Sequence, residues 1–155
     1  MDYKEKISRF LELKSIAVTG VSSGTPNPAN LIFRKLKDSN YPVYPVNPRT
    51  DSVEGESCYS RISEIPEIPE GVVIASPPSS ARAIIEECLE LGIKHVWFHS
   101  SINKGSFDAQ ATRFAEGNGM MVITTGCPLM YIQPVDFGHK CIKWMLRLTG
   151  KIPGK

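Results

Sequence analysis

Ser15-Ile16-Ala17-Val18-Thr19-Gly20, running on into Val21-Ser22-Ser23-Gly24-Thr25-Pro26-Asn27-Pro28, is the stretch on which the fold turns. A short apolar run closes on a glycine, and a polar loop follows. Asn27-Pro28 then has the chemistry of a helix start, because asparagine caps free amides and proline suits a first turn that needs no intrahelical donor. Working outward, Leu31, Ile32 and Leu36, with Phe33 at the flank, form the expected inner face of that helix, which stops at Ser39-Asn40. Upstream, Ile7, Phe10 and Leu11 recur at helical spacing within residues 2–13.

The same alternation continues to the end of the chain. Strands are expected at 43–46, 71–75, 94–98 and 120–124, the one at 71–75 being β-branched and almost continuous, as a strand covered on both faces should be. Pro42 and Pro45 are poor residues for a central ladder in the second of the five strands. Residues 53–56 read as a turn. Helices are expected from about 79 to Leu91 (Ala81, Ile84, Ile85, Cys88 and Leu89 inward), from Ser106 to Glu116 (Phe107, Ala111 and Phe114 inward), and from Val135 to Leu148. On the last, Phe137, Cys141, Trp144, Met145 and Leu148 read as a core stripe, and residues 150–155 as a frayed tail. Five strands separated by helices give an α/β doubly wound parallel sheet with helices on both faces. Fold analogy supplies the order 3-2-1-4-5, which makes the first and fourth strands neighbours at the switch point. The loops at 20–27, 47–50, 76–79, 99–104 and 124–128 then share the carboxyl edge, where a ligand belongs.

Composition narrows the class. At 155 residues one domain, 1–155, is expected, and surface scaling lets about two-thirds of the chain's surface be buried without metal or disulfide staples. Lys and Arg number 18 against 16 Asp and Glu, a net charge of +2 that is too even to call for nucleic acid. No apolar run approaches the ~20 residues of a membrane span, and MDYKEKISRF does not read as a secretory signal. A cytoplasmic setting follows, and with it four free thiols at Cys58, Cys88, Cys127 and Cys141, which have no C-x-x-C pair among them. His95, His99 and His139 form no metal-ligand pattern.

The residues with chemistry to offer sit at the loops. Gly20 and Gly24 let backbone approach a phosphate, and Ser22, Ser23 and Thr25 share that loop ahead of a helix N-terminus. The pattern is neither G-x-G-x-x-G nor a triphosphate loop. An NAD site would carry an acid at the end of the second strand; this chain has Val46-Asn47-Pro48-Arg49. A cation there favours a ribose bearing phosphate, hence NADP or coenzyme A (CoA) over NAD, although a solvated surface arginine is the common alternative. Ser76-Pro77-Pro78-Ser79 offers a stiff wall for an adenine ring, or merely a helix cap. Ser100, Ser101, Ile102 and Asn103 shape an adjoining wall; His99 either lines this edge or, as is commoner for a lone histidine after a strand, serves as a loop hydrogen-bonding residue. Cys127, in Gly126-Cys127-Pro128, reads as a turn cysteine lining the pocket, with a purely structural thiol as the alternative; a Cys127/His139/Asp136 nucleophilic set would need the last helix to fold back over the rim.

Ile16-Ala17-Val18-Thr19-Gly20, Val43-Tyr44-Pro45-Val46-Asn47-Pro48, Val73-Ile74-Ala75-Ser76-Pro77-Pro78 and Thr125-Gly126-Cys127-Pro128, in that order, resemble the small stand-alone CoA-binding proteins. Their fold is similar to the CoA-binding domain of the succinyl-CoA synthetase alpha subunit. The resemblance spans about residues 10–148 and implies a Rossmann-like fold with CoA or an acyl-CoA across the carboxyl edge. It implies phosphate contacts at Gly20 and Ser22 to Thr25, a second contact loop at Asn47 to Arg49, a nucleotide wall at Ser76 to Pro78, and a further loop at Ser100 to Asn103. The expected function is binding of that ligand without catalysis of its own. The competing readings are an NADP-binding reductase or sensor and a small thiol-dependent acyl-thioester hydrolase. A homodimer or an unidentified protein partner stays open.

Overall fold

Strands without prolines take the middle of the sheet, and the strand with prolines takes its edge. The computed structural model describes residues 1–25, 27–103 and 105–153. Pro26 of the first loop, Lys104 of the loop after the fourth strand, and Gly154 and Lys155 of the expected tail lie outside them. Along the chain run α1 (Tyr3–Leu11), β1 (Ile16–Thr19), α2 (Pro28–Asp38), β2 (Val43–Val46), a hairpin of β3 (Ser52–Val53) and β4 (Glu56–Ser57), and β5 (Gly71–Ile74). Then come α3 (Ala81–Glu90), β6 (His95–Phe98), α4 (Ala109–Gly117), β7 (Met121–Ile123) and α5 (Phe137–Leu148). Single 3-10 turns occupy Ile62–Glu64, Pro78–Ser80 and Pro128–Met130.

The main sheet is parallel throughout, in the order β2-β1-β5-β6-β7. Counting only its own strands this is 2-1-3-4-5, which corrects the expected 3-2-1-4-5. The first strand neighbours the third, and the second lies at the edge. The reason is in the ladder. Pro45 has no N–H, so β2 cannot donate at that position to a strand on either side. At the edge the loss is tolerated: Pro42 O accepts from Ile16 N (3.0 Å), Gly20 N donates to Val46 O (3.1 Å), and Tyr59 N reaches Pro45 O (3.0 Å) from outside. β5 has no proline and is fully buried, so it takes the inner place beside β1.

Two apolar layers cover the sheet. On one face Ile7 and Phe10 of α1 and Ile32, Phe33 and Leu36 of α2 pack with Val18, Val73, Trp97 and Met130. Trp97 lies edge-on to Phe10, ring centroids 5.4 Å apart, and its indole N–H donates to Gly126 O (3.1 Å). On the other face Ile85 and Cys88 of α3 and Ala111 and Ala115 of α4 pack with Ala17, Val72, Ile74, Val96 and Phe98. Each fully buried Ile, Val, Leu or Phe contributes about 1.5–3 kcal/mol.

Three helix readings need correction. On α2, Leu31 points outward, while Ala29 and Phe33 join Ile32 and Leu36 inside. On the 106–116 segment Phe114 is only half-buried, with the Arg82 guanidinium 3.4 Å above its ring. The largest reversal is α5. Phe137, Cys141, Trp144, Met145 and Leu148 are all exposed, and Leu146 is the buried residue. By the time the chain reaches α5, α1, α2 and the 128–132 segment have already covered that face of the sheet. What remains for α5 is an irregular surface: Lys143 Nζ donates to Met130 O (3.1 Å) and sits 3.8 Å from the centre of the Tyr131 ring. The tail expected to fray is held through Ile152, which is buried, with its N–H on Leu146 O (3.3 Å).

Candidate functional site

Strand order places the site. β1 feeds α2 on one face and β5 feeds α3 on the other, so the chain parts at the carboxyl ends of these two neighbours, where doubly wound sheets hold their ligands. The loops meet tightly there. Gly20 has φ +86°, and a Cβ on it would lie 2.7 Å from Ala75 C, Ala75 O and Ser76 N. Only glycine fits both the backbone and the space. Thr19 Oγ1 and Ser76 Oγ share a hydrogen bond (3.1 Å), as do Ser76 Oγ and Ser80 Oγ (2.9 Å), and Ser80 Oγ lies in donor range of Pro77 O (2.7 Å).

Three hollows follow one another along this edge. The first, about 550 Å³, lies between the ends of β2, β1 and β5 and is lined by Gly20, Asn47, Pro48, Arg49, Arg61, Ser76, Pro77 and the start of α3. The second, about 610 Å³, shares Gly20, Ser76 and Pro77 with the first and adds Asn27, Pro28, His99, Ser101, Ile102, Asn103 and Ser106. The third, about 370 Å³, shares Ser101, Ile102 and Asn103 with the second and runs past Ser100, Thr124 and Thr125 to Leu146 and Ile152. Shared walls make them one crevice.

Each stretch has its own chemistry. In the first, Asn47 Nδ2 donates to Val21 O (2.5 Å) and its Oδ1 accepts from Arg49 N (2.8 Å), which pins the loop and leaves the Arg49 side chain at the rim. Arg61 adds a second guanidinium, 3.5 Å from Glu87 Oε1, an oxygen that also accepts from Ser63 N (3.0 Å) and Ser63 Oγ (2.8 Å). In the second, α2 presents its N-terminus: Asn27 Oδ1 accepts from Asn30 N (2.9 Å) while Asn27 Nδ2 donates to Gly20 O (2.9 Å). The buried His99 lines this stretch, and its Nδ1 has no partner among the described residues. Burial first, and the nearby His139 second, push its pKa down to about 4, so it is a neutral imidazole at neutral pH. In the third, Ser100 Oγ accepts from Gly126 N (2.9 Å), joining the loops after β6 and β7.

The expected site residues therefore separate into two groups. Gly20, Asn47, Pro48, Arg49, Ser76, Pro77, Ser100, Ser101 and Ile102 come together along the crevice. Ser22, Ser23, Gly24 and Thr25 do not line it. Asn30, buried on α2, accepts from Ser22 N (2.8 Å) and donates to Ser22 O (2.7 Å), and Gly24 N donates to Ser22 Oγ (3.2 Å), so the loop closes on itself beside the helix start. Pro78 opens the 3-10 turn and lies off the wall. Cys127 is corrected from pocket lining to core: it is buried among the apolar residues, and burial pushes its thiol up to about 12. His139 bonds Asp136 (Nδ1–Oδ2, 2.6 Å), its own helix cap.

Arg61 and Ser80 stand outside the expected set, Asn27 is expected only as a helix cap, and His99 takes the edge-lining place that was the lesser of its two readings. A histidine directly after a buried strand at the binding edge was the available signal for His99. Arg61 had none, because only the fold-back of residues 47–62, closed by Asn47 N on Tyr59 O (2.9 Å), brings it to the crevice.

A Rossmann-like parallel sheet with an elongated crevice at its switch point, cationic at one end, defines a ligand-binding domain of the nucleotide type. Within that class the chain belongs to the CoA binding domain family, which matches residues 14–133. It is 32% identical over 81 residues to the ADP-forming acetate–CoA ligase of Methanocaldococcus jannaschii, a match covering 52% of this chain and 12% of that enzyme. The chain thus spans about an eighth of that relative's length. Among solved structures, it superposes on a hypothetical protein from Pyrococcus horikoshii with TM-score 0.74 and 26% identity, covering 83% of this chain and 87% of that one. It also superposes on the dinucleotide-forming acetyl-coenzyme A synthetase 1 of Candidatus Korarchaeum cryptofilum with TM-score 0.63 and 29% identity, covering 75% and 27%. The relationship is to domains of ADP-forming acyl-CoA synthetases, rather than to the succinyl-CoA synthetase alpha subunit in particular.

Proposed function

We propose that the crevice binds CoA or an acyl-CoA and that the chain performs no chemistry on it. The observation that carries this reading is the joined run of hollows across the strand ends, with Arg49 and Arg61 at one end and the α2 N-terminus midway. The residues fit such a ligand. The guanidiniums of the first stretch would hold a ribose phosphate by charge-assisted bonds, and Pro77 would flank the adenine. Gly20 and the start of α2 leave backbone and a positive dipole end for a pyrophosphate. The orphaned Nδ1 of His99 offers the next stretch a polar group suited to an amide or thioester arm. The end of β2 has Asn47 and Arg49 where an NAD site would carry an acid.

Absence of catalysis rests on the thiol and the histidines. A cysteine whose thiol titrates near 12 supplies no thiolate at neutral pH, and His139 is engaged with Asp136 instead of Cys127.

The test is a double-mutant cycle on Arg49. Arg49→Ala should weaken CoA binding by about 1–3 kcal/mol in calorimetric titration, the scale of a charge-assisted bond, and leave the thermal midpoint unchanged. Dephospho-CoA should bind the original chain less tightly than CoA, and the gap between the two ligands should narrow on the Arg49→Ala chain, where Arg61 alone is left to meet the phosphate. NAD binding as strong as CoA binding would overturn the reading outright; equal loss for both CoA ligands would remove Arg49 from the ribose phosphate.

A further inference from the structure

The outer face of α5 is the part of the molecule that the crevice does not use. Phe137 is 82% exposed, Trp144 65%, Leu148 67% and Met145 37%, with Cys141 exposed between them. At 100° per residue Phe137, Cys141, Trp144 and Leu148 lie within one stripe opposite the buried Leu146, with Met145 along its edge. Their free apolar surface comes to roughly 500 Å² when a whole aromatic side chain counts about 150–250 Å². That is at the upper end of what a soluble monomer leaves uncovered.

The spacing of the stripe names its occupant. Phe137, Cys141, Trp144 and Leu148 are separated by steps of four, three and four, which read the same from either end of the helix. A twofold axis crossing α5 between Ile142 and Lys143 therefore sets Phe137 against the partner's Leu148 and Cys141 against the partner's Trp144. In both pairs a larger side chain meets a smaller one, as interdigitating helix faces require. An isologous contact needs this reciprocity, residue i on j and j on i. Two stripes together bury on the order of 1,000 Å², the least that a specific interface needs.

We propose that the exposed stripe of α5 pairs antiparallel with the α5 of a second copy of this chain, making a twofold dimer. The other side of the same helix closes the third stretch of the crevice through Leu146, and Lys151 Nζ just beyond it donates to Ile102 O (2.9 Å). Lys140 and Arg147 lie along one edge of the stripe, and an antiparallel pair brings like edge to like edge. Salt screens this repulsion, so added salt strengthens the dimer. An anionic lipid surface, which a basic apolar helix face also fits, would be held less tightly as salt is added.

Sedimentation equilibrium tests this. The original chain should sediment at twice its 17.1 kDa, with association tightening from low to high salt. Trp144→Glu should loosen it at least about tenfold while far-ultraviolet circular dichroism and the monomer's thermal midpoint hold. Under oxidant, Trp144→Cys should form a covalent dimer through Cys141 faster than the original chain does. A monomer at submillimolar loading would overturn the proposal. So would a dimer indifferent to Trp144→Glu, or a monomer that binds phosphatidylcholine vesicles carrying phosphatidylglycerol and is released by salt. CoA binding measured on the same samples is independent of these outcomes, so failure here and failure of the ligand reading remain distinguishable.

Discussion

Helices α2 and α5 are made of similar material and have opposite fates. Each is an amphipathic segment of eleven or twelve residues capped at its N-terminus by a side-chain oxygen, Asn27 on Asn30 N and Asp136 on His139 N. Yet α2 buries Ile32, Phe33 and Leu36 against the sheet, while α5 buries Leu146 and turns its aromatic residues to solvent. The difference is position in the assembly. The 28–38 segment crosses over from β1 to β2 and has bare sheet beneath it; α5 follows the last strand, after the ground is taken. An apolar stripe says that a helix has a face to cover, and the rest of the chain decides whether anything inside the molecule covers it.

The largest expected effect would break this contrast directly. Phe33→Ala should cost about 3–5 kcal/mol in urea unfolding, from lost burial and the cavity left behind. Trp144→Ala, measured dilute enough to keep the chain monomeric, should stay within about 0.5 kcal/mol. Similar losses at both positions would mean that the outer face of α5 is covered within the monomer.

Next in size is acid sensitivity at the crevice, which α2 borders through Asn27 and α5 approaches through His139. His99 has a folded pKa near 4, below its ordinary 6.5. Between these values the unfolded chain takes a proton that the folded chain refuses, so stability is intact above pH 6.5 and falls as pH drops toward 4. From the size of the shift the loss is about 3 kcal/mol at most. His99→Gln should flatten the profile of urea midpoints across that window. An unchanged slope would place the acid sensitivity elsewhere.

The smallest effect separates the two caps. Asn27→Ala and Asp136→Ala should each cost about 1 kcal/mol of stability. Asn27 also holds Gly20 O and lines the crevice, so its loss should weaken CoA binding as well, whereas loss of Asp136 should not. Equal affinities for the two variants would detach the α2 N-terminus from the ligand.

The crevice was legible in part for a physical reason. Loops after strands 1, 2, 3 and 4 of the sheet converge whatever the strand order, because all parallel strands end on one side. That is why Gly20, Asn47 to Arg49, Ser76, Pro77 and Ser100 to Ile102 could be placed on the carboxyl edge from spacing alone. Ser22 to Thr25 and Cys127 could not be separated from them, since whether a loop residue faces a ligand, its own helix or the core depends on bonds such as those of Asn30 to Ser22. Strand order had a signal that analogy outweighed: Pro42 and Pro45 marked β2 as an edge.

By itself, then, the amino-acid sequence determined five apolar strands, the helices between them and the glycine at the end of β1. Those are local matters, settled by period, caps and backbone freedom. Tertiary structure alone decided that β5 lies beside β1, that Arg61 reaches the crevice, that His99 Nδ1 is buried without a partner among the described residues, and that the stripe of α5 faces out. Each depends on which surfaces other segments had already covered, and no window of sequence contains that.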